Sequence, residues 1–275
     1  MTYPTEIKTT QLSRLIGMPN APILIDVRID EDFEKDPQLI PLSIRCAFTD
    51  IASLAPQLEG NRVVIYCQKG KKISHGAAAI LRNLGIHAEV LEGGHFAWRD
   101  AGELLLSADK LPKTNSKGQS VWVTRQRPKV DRIACPWLIR RFIDKDAQFL
   151  FVPPSEVLAV AEKFDAIPFD IPDVFWSHRQ DLCTFDIMVE EFDLNIKPIK
   201  RLAKIVRGAD TNRHDIAPQA AGLLAASLGL SRMYKDDLAQ LDAGMMLYDF
   251  FFRWSRDASD EEHDTGLQHS QKDLD

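Results

Sequence analysis

Long apolar runs are missing from this sequence. None approaches the roughly 18 uninterrupted residues that a membrane helix needs, so no membrane span is expected. Cysteine is scarce: Cys46, Cys67, Cys135 and Cys183 lie far apart and form no paired motif. That argues against a disulfide framework and fits a reducing cytoplasm. The opening Met1, Thr2, Tyr3, Pro4, Thr5 and Glu6 holds neither a basic nor an apolar region, so no signal peptide is expected. Internal repeats and long low-complexity runs are absent too. So is any excess of positive charge, since the net charge is −6. Seven acids and one base fall in residues 257–275, and without them 33 acids and 33 bases remain. The acidity therefore belongs to a polar tail expected to be disordered, and a nucleic-acid partner is not expected. What is present, 45% hydrophobic and 27% charged residues over 275, suits one large or two ordinary globular domains.

Residues 107–120 are rich in Lys, Ser, Pro and Gly and lack an apolar stripe, which marks a linker between domains at 1–106 and 121–256. Before it, residues 23–27, 63–67 and 88–91 read as buried strands. Between the last two, Ala77, Ala78, Ile80, Leu81 and Leu84 form the apolar face of a helix over 74–84, stopped by Gly85. Strand, helix and strand at this spacing make a parallel crossover, so the first half reads as α/β. After the linker, 121–124, 148–152 and 174–178 read as strands. Helices are expected over 131–144 and 235–256, with another between Pro218 and Gly229. The second half reads as an α-rich α+β domain.

Cys67 stands where a strand ends and a helix begins, in the loop Cys67, Gln68, Lys69, Gly70, Lys71, Lys72, Ile73. Ligands of parallel sheets bind at the carboxyl ends of strands. Backbone N–H groups there, with the helix dipole, favour an anion and lower a thiol's pKa. Gly70 lets the loop curl, and three lysines add positive charge. This is the setting of a cysteine nucleophile. A buried, inert cysteine with its lysines in solvent fits the spacing equally well.

The surrounding pieces decide between them. Asp26, Val27 and Arg28 after the first strand, Tyr66 and Cys67 with their loop, and the run 91–98 with Gly93, Gly94 and Trp98 together resemble the rhodanese family over residues 7–102. The resemblance implies a five-stranded parallel sheet flanked by helices. It also implies a sulfurtransferase that needs no organic cofactor. Cys67 would take sulfane sulfur from a small anionic donor such as thiosulfate and pass the persulfide sulfur to a thiol or cyanide. The amides of Gln68, Lys69, Gly70, Lys71, Lys72 and Ile73 would bind the oxyanion, Asp26 and Arg28 would brace the fold, and Gly93, Gly94 and Trp98 would serve packing and turn geometry. With the helix taken to start at Ser74, the loop is one residue longer than in ordinary sulfurtransferases. The longer loop is similar to that of relatives acting on phosphate or arsenate, whose terminal clamping arginine is replaced here by Ile73.

Residues 121–255 resemble the C-terminal domain of the chromate-resistance protein ChrB. The pieces that carry this are 121–124, 131–144, Ser177 to Arg179, Cys183 to Asp186, 205–210 and 217–223. The resemblance implies association with chromate resistance. It leaves open an alternative in which the chain binds chromate as a sensor without turnover, and another in which Cys67 supports phosphatase or oxyanion-reductase chemistry. His178, Asp186 and Asp210 could hold a divalent metal if the fold gathers them, though none is paired at helical i, i+4 spacing. Arg132, Arg140 and Arg141 could line an anion pocket with Trp137, or could pair with Asp131 and Asp144. Cys135 and Cys183 are expected to be buried and inert, and Cys46 to pack in the core. Oligomeric state stays open: the aromatic cluster over 248–254 suits either core or interface.

Overall fold

A computed structural model describes residues 5–261. Most of the expected acidic tail lies outside them; Asp257 closes the last helix. The first half runs β1 (Glu6–Ile7), α1 (Thr9–Leu12), β2 (Ile23–Asp26), α2 (Asp30–Lys35), β3 (Gln38–Leu39), β4 (Ser43–Arg45), α3 (Ala55–Leu58), β5 (Arg62–Tyr66), α4 (Lys72–Asn83), β6 (His87–Leu91), α5 (Gly94–Asp100) and β7 (Leu106–Ser107). Five strands form one parallel sheet in the order β1-β6-β5-β2-β4, the α/β architecture expected.

Parallel strands are covered on both faces, which is why they read as continuous apolar runs. Side chains alternate across the pleat. Val63, Ile65 and, just past the strand, Cys67 face a core shared with Ala77, Ala78 and Leu81 of α4. Val64 and Tyr66 face the opposite core with Leu12, Leu24 and Trp98. In α4, Ile80 and Leu84 are exposed rather than packed. Ile80 lies off the arc that meets the sheet, and Leu84 sits past the last turn.

β7 pairs antiparallel with β3, Gln38 against Ser107, and a 3-10 turn, Ala108–Lys110, follows. The expected linker therefore opens in ordered structure. The second half runs β8 (Val121–Arg125), α6 (Asp131–Leu138), β9 (Gln148–Val152), α7 (Val157–Phe164), β10 (Ile167–Pro168), α8 (Thr184–Glu191), α9 (Lys197–Asp210), α10 (Ala220–Met233) and α11 (Asp237–Asp257). It is helix-rich, with a small parallel sheet in the order β10-β8-β9.

Two local expectations are corrected. The helix read over 131–144 changes at Ile139 into a wide π turn ending at Ile143. Residues 174–178 form a loop, tied to the sheet edge by the bridge between Phe169 and Trp176 and by the Trp176 ring against Trp122.

An aromatic core holds the second half together: Trp137 is fully buried against Phe142, Phe185, Tyr248 and Phe252. Phe250 points to solvent, so the 248–254 cluster is only partly core. The two halves share this core. Gly17, in a left-handed turn at φ +78°, leaves so little space that a Cβ there would lie 2.4 Å from the Phe142 ring and 3.0 Å from Phe252. Arg256 adds a hydrogen bond to the Arg14 carbonyl at 2.9 Å.

Candidate functional site

The strand parity of β5 delivers Cys67 to the α4 side of the sheet, 6% exposed. Helix α4 begins at Lys72, two residues before the expected Ser74, so the connecting loop spans residues 67–71. Lys72 and Ile73 belong to the first helical turn. Ser74 Oγ lies 3.3 Å from Cys67 Sγ and 3.0 Å from the Lys71 carbonyl oxygen. Burial alone would raise the Cys67 pKa. The Ser74 hydroxyl and the backbone N–H groups of Lys71, Ser74 and Lys69 outweigh it, and the thiol lies below its ordinary value.

Sequence reasoning used Ser74 only to mark a helix start and missed it as the thiol's partner. Of the six loop positions expected to cradle an oxyanion, Lys69 and Lys71 bring backbone donors to the sulfur. The side chains of Lys69, Lys71 and Lys72 stand in solvent. Gln68 turns its amide to Asp32 at 3.0 Å, and Ile73 packs beside the α4 core.

Gly70 and Gly94 lock the loop onto the turn before α5. Gly94 sits at φ +61°, and a Cβ there would come within 2.2 Å of the Cys67 carbonyl oxygen and 2.4 Å of the Gly70 nitrogen. Only glycine permits that approach. The N–H groups of His95 and Phe96 then donate to the carbonyls of Cys67 and Gln68, each at 3.0 Å. The Trp98 indole donates to the Leu104 carbonyl at 2.8 Å. Below the loop, Asp26 and Arg28 form a fully buried ion pair at 2.7 Å. Arg28 spends its remaining donors on the carbonyls of Asp36, at 2.9 Å, and Gln38, at 2.7 Å. The pair braces the 36–38 segment. Cys46 is half-buried just after β4, its thiol directed at the Ala47 carbonyl.

The three arginines of the second half do not converge. Each meets a different carboxylate: Arg132 reaches Asp170 at 3.2 Å, Arg140 reaches Asp242 at 3.5 Å, and Arg141 reaches Asp249 at 2.8 Å. Trp137 is sealed in the core and donates to the same Asp249 at 2.8 Å. The rotation along α6 and the π turn sends the arginines to separate neighbours, so they form no common anion pocket. Nor do they take the partners expected of them, since Asp144 accepts from Ser120 and Asp131 faces elsewhere. Cys135 and Cys183 are buried, and burial pushes both thiols well up.

A different cluster forms around His178. Its Nε2 lies 3.2 Å from Asp210 Oδ2, 3.4 Å from Asp170 Oδ1 and 3.5 Å from Asp131 Oδ2. Hydrogen bonds to Asp170 and Asp210 push the imidazole pKa up to about 10. Burial, then the charges of Asp210 and Asp170, push Asp131 well above the usual carboxylate range. Asp186, expected in this group, is instead the reciprocal cap of α8: it accepts from the Cys183 N–H at 3.1 Å and faces Arg207 at 3.6 Å. Asp131 and Asp170 take its place. No helical or strand spacing links them, because Asp131 starts α6 while Asp170 sits in a left-handed turn, φ +52°, after β10.

Residues 8–101 match the family model for the rhodanese-like domain, and residues 122–255 match that for the ChrB C-terminal domain. Protein ChrB of Cupriavidus metallidurans is 34% identical over 159 residues, which cover 53% of this chain and 47% of that protein. An uncharacterized protein of Synechocystis is 32% identical over 108 residues, covering 39% of this chain and 55% of that one. The chain thus spans about half the length of the curated relatives it matches. Among solved structures, a rhodanese-related protein of Thermoplasma volcanium is 23% identical, covering 38% of this chain and 98% of that one, with a TM-score of 0.33. A protein of unknown function from Rhodopseudomonas palustris, described as a possible tyrosine phosphatase, is 26% identical, covering 37% and 84%, with a TM-score of 0.32. The chain thus joins a segment that matches the rhodanese-like domain to one that matches the ChrB C-terminal domain.

Proposed function

We propose that the chain is a rhodanese-type sulfurtransferase associated with chromate resistance. The observation that carries the reading is the placement of Cys67 Sγ at the start of α4, where the Ser74 hydroxyl and three backbone N–H groups favour the thiolate. In the first half-reaction the thiolate attacks the outer sulfur of a thiosulfate-like donor. The donor's S–S bond breaks, its electron pair leaves with sulfite, and Cys67 becomes a persulfide. The same donors that hold the thiolate stabilise the persulfide anion, and the exposed lysines attract the anionic donor. In the second half-reaction a thiol or cyanide attacks the outer sulfur, and the electron pair of the breaking bond returns to the cysteine as thiolate. No organic cofactor is required. The link to chromate resistance rests on the likeness of the second domain to the ChrB C-terminal domain.

The test is mass spectrometry of the full chain after thiosulfate treatment, for wild type and Cys67→Ser. The expected result is one added sulfur on Cys67, released as thiocyanate by cyanide and absent in the variant. If no persulfide forms while a control rhodanese turns over, the proposal fails for this donor, and direct chromate binding becomes the next measurement.

A further inference from the structure

Around His178 the second half gathers an imidazole and three carboxylates from four separate places: the start of α6 (Asp131), the loop after β10 (Asp170), the loop before α8 (His178) and the end of α9 (Asp210). We propose that Asp131, Asp170 and His178 bind a divalent first-row cation, of the Mn2+ or Fe2+ kind, at a site with one face open to a pocket, with Asp210 as the carboxylate beside the imidazole.

The spacing fits an ion. Two ligands each about 2.1 Å from a metal, at angles between 90° and tetrahedral, lie roughly 3.0–3.4 Å apart. The carboxylate oxygens of Asp210, Asp170 and Asp131 stand 3.2, 3.4 and 3.5 Å from His178 Nε2, the last just beyond that range. Ligand atoms of Asp131, Asp170 and His178 all lie within 4.8 Å of one another. One nitrogen and several hard oxygens suit Mn2+ or Fe2+ better than a thiolate-seeking ion.

A second observation is independent of the clustering. Asp131 is fully buried, yet its Oδ1 has no hydrogen-bond partner. Its Oδ2, which faces His178, accepts from the Thr184 N–H at 2.6 Å. A buried carboxylate oxygen left unpaired is costly, and a cation bound by the Asp131 carboxyl group lowers that cost.

The outer contacts are those of a supported site. Asp170 divides its oxygens: Oδ1 faces His178 and accepts from the Thr184 hydroxyl at 3.0 Å, while Oδ2 takes Arg125 and Arg132, each at 3.2 Å. Such contacts fix a ligand's orientation and tune its affinity. The cluster is not sealed. The His178 side chain is 42% exposed, and with Asp170, Arg125 and Ser177 it borders a pocket of about 550 Å³. Structural metal sites are closed, whereas catalytic ones keep a position for water or substrate. The geometry is of the second kind.

The experiment is titration of chelator-treated, dialysed full-length protein with MnCl2, followed by calorimetry and by electron spin-echo spectroscopy of the bound ion. The expected result is one Mn2+ per chain, with nitrogen modulation from a single imidazole. His178→Ala should remove that modulation. Asp131→Asn and Asp210→Asn should each weaken binding at least tenfold. Asp210 is partly exposed, so its variant keeps the test decisive if the buried Asp131→Asn does not fold, with circular dichroism checking both. Absence of saturable Mn2+ or Fe2+ binding in the wild type overturns the proposal. So does binding that is unchanged in folded Asp210→Asn and His178→Ala proteins. Neither result bears on sulfur transfer at Cys67, which the site does not touch.

Discussion

The Ser74 hydroxyl stands 3.3 Å from Cys67 Sγ and 3.0 Å from the Lys71 carbonyl oxygen. It carries one proton and has two acceptors. Beside a thiol it donates to the carbonyl; beside a thiolate it turns to the sulfur, where a charge-assisted bond is stronger. Ser74→Ala removes that bond. Hydrogen bonds to charged groups contribute about 1.5–3 kcal/mol, so alkylation of Cys67 by iodoacetamide at pH 7 should slow about tenfold or more. An unchanged rate would mean that the backbone donors alone hold the thiolate.

The pH dependence follows from the same site. Cys67 titrates below an ordinary thiol in the folded chain, so folding favours the thiolate. That contribution to stability is fully present above the unfolded thiol's pKa of about 8.5 and is lost as pH falls through the lower folded value. The stability difference between wild type and Cys67→Ala should therefore grow from pH 6 to pH 9 in urea unfolding. A difference independent of pH contradicts the thiolate assignment.

Gly94 should not tolerate a side chain. Alanine there would set its Cβ 2.2 Å from the Cys67 carbonyl oxygen, a backbone atom, at a left-handed φ. Overpacking and the conformational penalty together cost about 3 kcal/mol. Gly94→Ala should lower the urea midpoint accordingly and impair persulfide formation in whatever fraction stays folded.

Arg28→Ala strips the close partner from a fully buried Asp26 and leaves only Arg45, at 3.9 Å. Breaking a buried pair on one side costs about 3–5 kcal/mol. Equilibrium denaturation should register this, and Arg28→Lys should recover only part, since an ammonium cannot serve Asp26 and the carbonyls of Asp36 and Gln38 together.

Gly17 reports on how the halves are coupled. Because its turn lies against Phe142 and Phe252, the wild type should unfold in one calorimetric transition. Gly17→Ala should separate it into two or broaden it measurably. If wild type already shows two well-resolved transitions, the shared aromatic core contributes little cohesion.

The sequence disclosed most about the parts where one element carries the signal. The runs at 23–27 and 63–67 announce parallel strands because both faces are buried, and Cys67 is marked by its position at a strand end. Legibility failed where residues meet across elements. Asp131, Asp170, His178 and Asp210 come together only through the packing of α6, α8 and α9 around one core, and no spacing along the chain encodes it. Asp186 was misassigned for the converse reason: a carboxylate three residues into a helix satisfies the backbone locally, and that role shows only once the start of α8 is fixed at Thr184. The arginines 132, 140 and 141 looked convergent on an ideal helix, and the π turn from Ile139 altered their bearing.

The alternation along β5 has an evolutionary consequence. Residues 63, 65 and 67 share one side of the pleat and 64 and 66 the other, so the nucleophile's bearing is settled before the loop begins. Insertions downstream of Cys67 can resize the anion cradle while the sulfur stays put, whereas a single insertion upstream would turn it toward the opposite core. Substrate range in such a scaffold is free to drift on one side of this cysteine and is frozen on the other.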